Sequence, residues 1–559
     1  MIINNKPTPL ERFYNLLKPD YTDIKNIYVY SIFKGLLSLS LPLGIQALIN
    51  FIQGGKISTS WVLLVSLVIL SVLINGLFQI FQLRITENLQ QKIFTRAAFD
   101  FAYRIPRVKL DALFNKYPPE LMNRFFDTVS IQKGLTKILI DFSTAILHIF
   151  FSLVLLSLYH YFFLFFSFVL ILLSYFVFRK TFKMGLSTSI LESSNKYELV
   201  DWLQELARNV ITFKLNTGSD FSLKKTDQMT NKYLLSREKH FNILLWQYSF
   251  MVFFKVLIAF GMLVIGGILV MEGKMNIGQF VASEIVLVLL INAFEKVILS
   301  LDNIYDVLTS IEKIGEVIDL ELDDNNGEDF LNSSNEDGIS IELKNIKFKY
   351  PKQKRYVLEN ISFKVKTGEK VMITGVNGSG KSTLLKVLAG LHEKTEGQIL
   401  FNNIPLSNFT YESIKKVTGE YLNSQQLFNG TIYDNIVIDR AIEKENLNWI
   451  LDSLGLTEYI KTLNDGLRTI IGPSGIKIPE SNIQKLILAR VLVNKPKLLL
   501  LENPLNNLDR EDRKKVLNFL TDRSNAWTLI AISNDKYLTR QCDQVIIIEK
   551  GKINNSSNI

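Results

Sequence analysis

The chain has 559 residues, 48% of them hydrophobic, and a formal net charge of +9. That length allows more than one domain, and the apolar share is high for a wholly soluble protein. A single cysteine, Cys542, excludes an internal disulfide and a cysteine metal site, and the four histidines (His148, His160, His240, His392) have no metal-ligand spacing.

The N-terminal segment carries charges together with Pro7, Pro9 and Pro19, unlike a cleavable signal peptide. Pro9 to Lys18 is amphipathic, with Leu10, Phe13, Leu16 and Leu17 on one side. It reads equally as a membrane-interface helix or as an ordinary surface helix. Six long apolar runs follow, at residues 27–51, 61–83, 135–159, 162–178, 244–271 and 278–301. Each is near the ~20 residues that a helix needs to cross the hydrocarbon core, so about six spans are expected.

The connections at 53–59, 160–161 and 272–277 are short and carry few basic residues, whereas 84–134 and 179–241 are long and rich in Lys and Arg. The positive-inside tendency then places both long loops, the N-terminus and everything after Leu301 on the cytoplasmic side. Basic residues set between spans argue against a nucleic-acid partner. In 84–104, Ile85, Leu89, Ile93, Ala97 and Phe101 repeat every four residues, so the spans are expected to continue as helices beyond the bilayer. Stretches 119–125 and 199–206 are candidate transverse contact helices at the loop tips. Of the ionisable residues in the runs, Lys34, Asp141, Glu295 and Lys296 lie toward span ends, where long side chains snorkel. Glu284 is the candidate for a transport pathway.

Residues 320–337 are acidic, Asn-rich and poor in apolar residues, which reads as an exposed linker. Beyond Ile339 the pattern changes to short strands at 340–343, 346–350, 361–365 and 370–373. The expected architecture is therefore an α-helical transmembrane domain at 1–318, a linker at 319–337 and an α/β domain at 338–559.

Immediately after the last of these strands comes Gly375-Val376-Asn377-Gly378-Ser379-Gly380-Lys381-Ser382-Thr383, which fits G-x-x-x-x-G-K-S/T. Strand, loop and helix follow one another there as this phosphate-binding motif requires. The glycines allow close backbone approach, so successive N–H groups can face phosphate oxygens at a helix N-terminus. Lys381 would reach the β- and γ-phosphates, and the Ser382 hydroxyl would meet Mg²⁺.

Across nearly its whole length the chain resembles the ATP-binding cassette exporters of the half-transporter type. Tyr350 sits where that family stacks an aromatic ring on adenine. Leu427 to Ile432 resembles its L-F-x-G-T-I segment, Ala489 to Leu492 its A-R-A-L, and Leu508-Asp509 the end of its D-loop. The resemblance implies ATP and Mg²⁺ as ligands, the fold of a P-loop NTPase behind the membrane domain, a bacterial inner-membrane location, and a dimer that sandwiches ATP. Only 26 residues precede Ile27, so a leader-processing domain is not expected. The transported substrate is not specified by the sequence.

Other positions depart from the family. Its second nucleotide motif ends in Asp-Glu; here Leu498 to Leu501 is followed by Glu502-Asn503. Glu502 lies seven residues before Asp509, the family's spacing for the Mg²⁺-side carboxylate, so Asn503 replaces the catalytic one. An amide cannot take a proton from attacking water, and losing a general base costs ~10²–10⁴-fold in rate. The signature L-S-G-G-Q aligns with Ile478 to Asn482, where Pro479 lacks an N–H and Glu480 repels phosphate. Pro before Glu still makes a sound helix start. Asn534 stands where the family has its loop histidine, and Asn423 where it has its loop glutamine, unless Gln425 or Gln426 substitutes. These changes imply an ATP-binding exporter subunit that needs a partner, in a homo- or heterodimer with another half-transporter, the heterodimer being favoured. The alternatives are a non-transporting ATP-binding membrane regulator and a self-sufficient exporter.

Overall fold

The computed structural model describes residues 7–53, 59–114, 116–216, 218–330, 338–475, 478–505 and 507–558. The chain forms two compact units. One runs to Pro106 and again from Lys116 to Leu320; the other takes the stretch from Arg107 up to residue 114 and everything described from Glu321 onward.

The first unit is all helix. It contains α1 (Pro9–Leu17), α2 (Tyr21–Ser38), α3 (Ser40–Gln53), α4 (Thr59–Arg104), α5 (Pro118–Met122), α6 (Asp127–Thr136), α7 (Ser143–Tyr159), α8 (Tyr161–Arg208), α9 (Val210–Leu215), α10 (Phe221–Phe260), α11 (Gly266–Met271) and α12 (Ile277–Ile318). Single π-helical stretches, Lys137–Phe142 and Gly261–Ile265, join α6 to α7 and α10 to α11. Among the described residues six helical stretches are long and apolar enough to cross a membrane, matching the six apolar runs. In the apolar window of α4 only 6% of residues are buried. A helix with such a surface is stable in lipid and not in water.

Small residues let these helices approach closely. A Cβ on Gly185 of α8 would stand 2.4 Å from the ring of Tyr305 on α12, and one on Gly134 of α6 would stand 2.2 Å from Val307. The termini are closed by local chemistry. Thr8 and Glu11 form a capping box on α1, and Asn276 and Gln279 form another on α12. Arg12 of α1 pairs with Glu312 and Asp319 at the far end of α12, at 3.1 and 2.5 Å. That fastens the amphipathic N-terminal helix to the bundle.

Three expectations change here. Residues 199–206 are the last turns of α8, because its helical pattern continues unbroken to Arg208; the separate short helix at that tip is α9. Residues 119–125 do contain a short helix, α5, but it belongs to the first unit, and the piece of this loop that joins the second unit is 107–114. Lys34 does not snorkel: it is buried, and its Nζ donates to Gln82 Oε1 at 2.9 Å, with Gln82 donating on to Ser31 and the Ile27 carbonyl. Glu295 pairs with Lys255 at 2.8 Å, while Glu284 keeps a buried carboxylate oxygen without a partner among the described residues.

In the second unit the strands are β1 (Ile341–Phe348), β2 (Leu358–Val365), β3 (Lys370–Thr374), β4 (Glu396–Phe401), β5 (Ile404–Pro405), β6 (Thr418–Tyr421), β7 (Gly430–Thr431), β8 (Ile470–Ile471), β9 (Leu498–Glu502), β10 (Thr528–Ile532), β11 (Gln544–Glu549) and β12 (Lys552–Asn558). An antiparallel sheet has the order β2-β1-β4-β5 and a mostly parallel one β12-β11-β3-β10-β9-β6, with β7 and β8 forming a small pair. The central parallel strands β9 and β10 are buried at every residue, as expected of a sheet covered on both faces. Within the stretch read as a linker, Lys109 N donates to the Glu321 carbonyl at 2.9 Å and Asp323 N to the Arg107 carbonyl at 2.7 Å. Phe330 is buried edge-on against Phe409. Residues 331–337 lie outside the described residues.

Candidate functional site

Strands β3, β10, β9 and β6 run parallel and adjacent, so their C-terminal ends share one edge. That edge is where open α/β sheets bind ligands. The glycine loop leaves β3 there, Glu502 ends β9, Asn534 follows β10, and Asn423 follows β6. Four segments far apart in sequence meet because each follows a parallel strand.

The loop from Gly375 to Gly380 opens the helix α13 (Lys381–Leu388). Gly375, Gly378 and Gly380 have φ of +146°, +79° and +101°, which L side chains rarely adopt. At Gly375 space is also refused: a Cβ would lie 2.1 Å from the Ile548 carbonyl oxygen. Lys381 folds back over the loop, its Nζ donating to the carbonyls of Gly375 and Val376 at 2.9 and 2.8 Å. Burial holds its pKa below the usual lysine value. The hydroxyl of Ser379 is buried without a partner among the described residues, and Ser382 is exposed at the helix start. A buried orphan hydroxyl, a folded-back cation and an open helix N-terminus are groups that a polyphosphate would satisfy. The Tyr350 hydroxyl lies 3.0 Å from Thr383 Oγ1, which ties the predicted base-stacking ring to the first turn of α13.

Next to the loop the chemistry is different. Glu502 is buried, and one of its carboxylate oxygens accepts from Asn423 N at 3.2 Å. Asn503 has φ +45°, in the left-handed region that Asn tolerates better than most residues. Its N–H donates to the Ile532 carbonyl at 2.9 Å. The Asn534 Oδ1 accepts from the Thr374 hydroxyl at 3.0 Å, so this side chain does lie beside the start of the loop. Gln425 Nε2 donates to the Glu420 carbonyl at 3.0 Å, and Gln426 is exposed.

Pro479 is the N-cap of the helix Glu480–Leu492, and Asn482 and Ile483 donate back to its carbonyl. Glu480 is exposed in the first turn, where Asn507 Nδ2 donates to it at 3.3 Å. Burial, with Glu480 adding repulsion, pushes the Tyr421 hydroxyl up to about 12. Not foreseen from sequence were Phe114 and His392, whose rings pack on Tyr350, and Asp111, which meets His392. The available signal was Pro106, which cannot continue α4 and releases 107–114 from the helical pattern.

The family model for the ABC transporter transmembrane region matches residues 26–294, and that for the ABC transporter matches 358–506. A putative export ATP-binding/permease protein of Rickettsia bellii is 26% identical over 370 residues, 66% of this chain and 64% of that one. A protein of the same description from Rickettsia prowazekii is 32% identical over 248 residues, 44% of this chain and 42% of the relative. The alpha-hemolysin translocation ATP-binding protein of Escherichia coli is 28% identical over 290 residues, 52% of this chain and 41% of its own. These matches therefore span from about two fifths to just under two thirds of the relatives' length. The solved structure of a bacterial Atm1-family ABC exporter with ATP bound superposes with a TM-score of 0.84 at 18% identity, covering 96% of this chain and 95% of that one, which shows the shared fold. With six helical stretches long and apolar enough to cross a membrane ahead of a phosphate-loop α/β unit, and family matches to both, the chain belongs to the ABC transporters.

Proposed function

We propose that this chain is the ATP-binding half of a membrane exporter that grips nucleotide but depends on a partner chain to hydrolyse it. Tyr350 takes the base; Gly375, Asn377, Gly378, Ser379 and Gly380 offer the loop to the phosphates; Lys381 neutralises them, with Ser382 and Thr383 in the first helical turn. Ser382 and Glu502 would be the oxygen donors for Mg²⁺, which when bound would supply positive charge to the phosphates. Both sit on the edge where the loop lies, and their chemistry suits a hard cation.

The observation that carries the reading is the contrast along that edge. The loop is complete and geometrically strict, while the next two strands, β10 and β9, are followed by Asn534 and Asn503. Amides hydrogen-bond but neither accept the proton of attacking water nor carry positive charge to a leaving phosphate. Pro479 and Glu480 remove the phosphate-binding use of their helix, which would otherwise face a second subunit's ATP. Binding still favours a closed dimer by mass action. A related chain with the Asp-Glu pair and an intact signature would supply what is missing, and the assembly would sit in the bacterial inner membrane with its nucleotide units in the cytoplasm.

The test is phosphate release by the detergent-purified protein, alone and co-purified with such a related chain. ATP binding with negligible turnover alone, and turnover with the partner, is expected. Turnover alone at the rate of an ordinary transport ATPase would remove the degenerate reading.

A further inference from the structure

Residues 107–114 come from the loop between the second and third spans, yet fold into the second unit. Their last residue, Phe114, stacks on Tyr350 with ring centroids 5.4 Å apart and planes 19° from parallel. Phe348 and His392 meet Tyr350 nearly at right angles, at 5.1 and 5.4 Å. His392 is bound to the same segment: its Nδ1 lies 2.6 Å from Asp111 Oδ1, and Glu393 N donates to Asp111 Oδ2 at 3.4 Å. The segment thus holds Tyr350 twice, by a stacked ring and through His392, while Thr383 fixes the hydroxyl. Tyr350 nevertheless stays partly exposed. An aromatic ring has two faces, and Phe114 stacks on one of them.

We propose that Phe114 is a positioning residue for the nucleotide base. It backs the ring of Tyr350 so that a purine stacks on the opposite face, and base occupancy and the seating of 107–114 strengthen each other. The inference rests on Tyr350 being the base-stacking residue. Its physical content is linkage: whatever Phe114 adds to base affinity, the base returns to the docked segment. The phosphates have no part in this, because they meet the glycine loop and not the ring. Inorganic tripolyphosphate therefore serves as a ligand without the base.

The experiment measures the affinities of ATP and of tripolyphosphate, both with Mg²⁺, for the detergent-purified full chain. It compares wild type, Phe114→Ala, Phe114→Tyr and Tyr350→Ala, and follows hydrogen exchange at 107–114. Loss of one ring stack corresponds to about three- to tenfold. Phe114→Ala should weaken ATP by that factor and leave tripolyphosphate unchanged, which also shows that the variant is folded. Phe114→Tyr should restore ATP binding, and ATP but not tripolyphosphate should slow exchange at 107–114. ATP bound by Phe114→Ala as tightly as by wild type, or more tightly, would overturn the proposal, the second result meaning that Phe114 occupies the base's place. Equal weakening of both ligands would reduce Phe114 to a structural role and overturn it as well. A Tyr350→Ala variant that keeps the wild-type preference for ATP over tripolyphosphate would instead remove the base site itself.

Discussion

Two neighbouring parts of one sheet edge are built to different standards. At the end of β3 the backbone leaves almost no freedom. Three glycines sit at positive φ, one of them where a Cβ would strike a main-chain carbonyl, and a buried lysine is already bent over the loop. At the ends of β9 and β10 the strands are as well buried and as well paired, but the amides Asn503 and Asn534 follow them. The scaffold that presents these amides is intact: Asn503 N–H still bonds to the end of β10, and Asn534 still meets Thr374. Fold and chemistry are therefore separable here. The parallel sheet is maintained by burial, and the identity of the residue at its edge decides what a bound nucleotide experiences.

Lys381→Ala is the most damaging way to test the strict side. Hydrogen bonds to charged groups contribute roughly 1.5–3 kcal/mol each, so ATP affinity should fall by about 10- to 100-fold. Calorimetric titration that shows unchanged affinity would mean the phosphates bind elsewhere. Asn503→Glu tests the lax side. Phosphate release by the partnered protein should rise by about tenfold, below the full effect of a general base, because Asn534 and the Pro479-Glu480 segment are unchanged. ATP affinity should barely move. The variant should also lose about 1 kcal/mol of stability, since glutamate tolerates the left-handed backbone at φ +45° less well than asparagine. A release rate that fell together with affinity would show that Asn503 belongs to the binding apparatus, and the contrast along the edge would dissolve.

Much of this was legible in sequence because the physics is local. A span announces itself by about twenty apolar residues, and buried parallel strands by runs such as Leu498 to Leu501. The glycine loop is readable because each residue type answers a backbone or phosphate requirement at a fixed spacing. What escaped depends on partners distant in sequence. Residues 107–114 are too short for a periodic signal, and their neighbours are Glu321, Tyr350 and His392. The buried setting of Lys34 is set by Gln82, 48 residues away, which no window around Lys34 contains. The left-handed backbone of Asn503 was not readable, since one residue's φ is fixed by how β9 leaves the sheet.

The smallest effect concerns the rim of the binding side, where Asp111 meets His392. Two influences oppose each other on this imidazole. Burial lowers its pKa from the ordinary 6.5 and Lys386 adds to that, while Asp111 raises it; burial is the largest, so the net direction is down. A lowered folded-state pKa means that the unfolded chain takes up the proton first as pH falls. The stability contributed by neutral His392 is then complete above about pH 6.5 and drains away as pH drops through the folded value. The difference in melting temperature between wild type and His392→Gln should accordingly shrink between pH 7.5 and pH 5.5. If it grew instead, His392 would be charged and ion-paired with Asp111 in the folded protein. Acid would then tighten the hold of 107–114 on the ring cluster, and the attraction of a carboxylate 2.6 Å away would have outweighed desolvation.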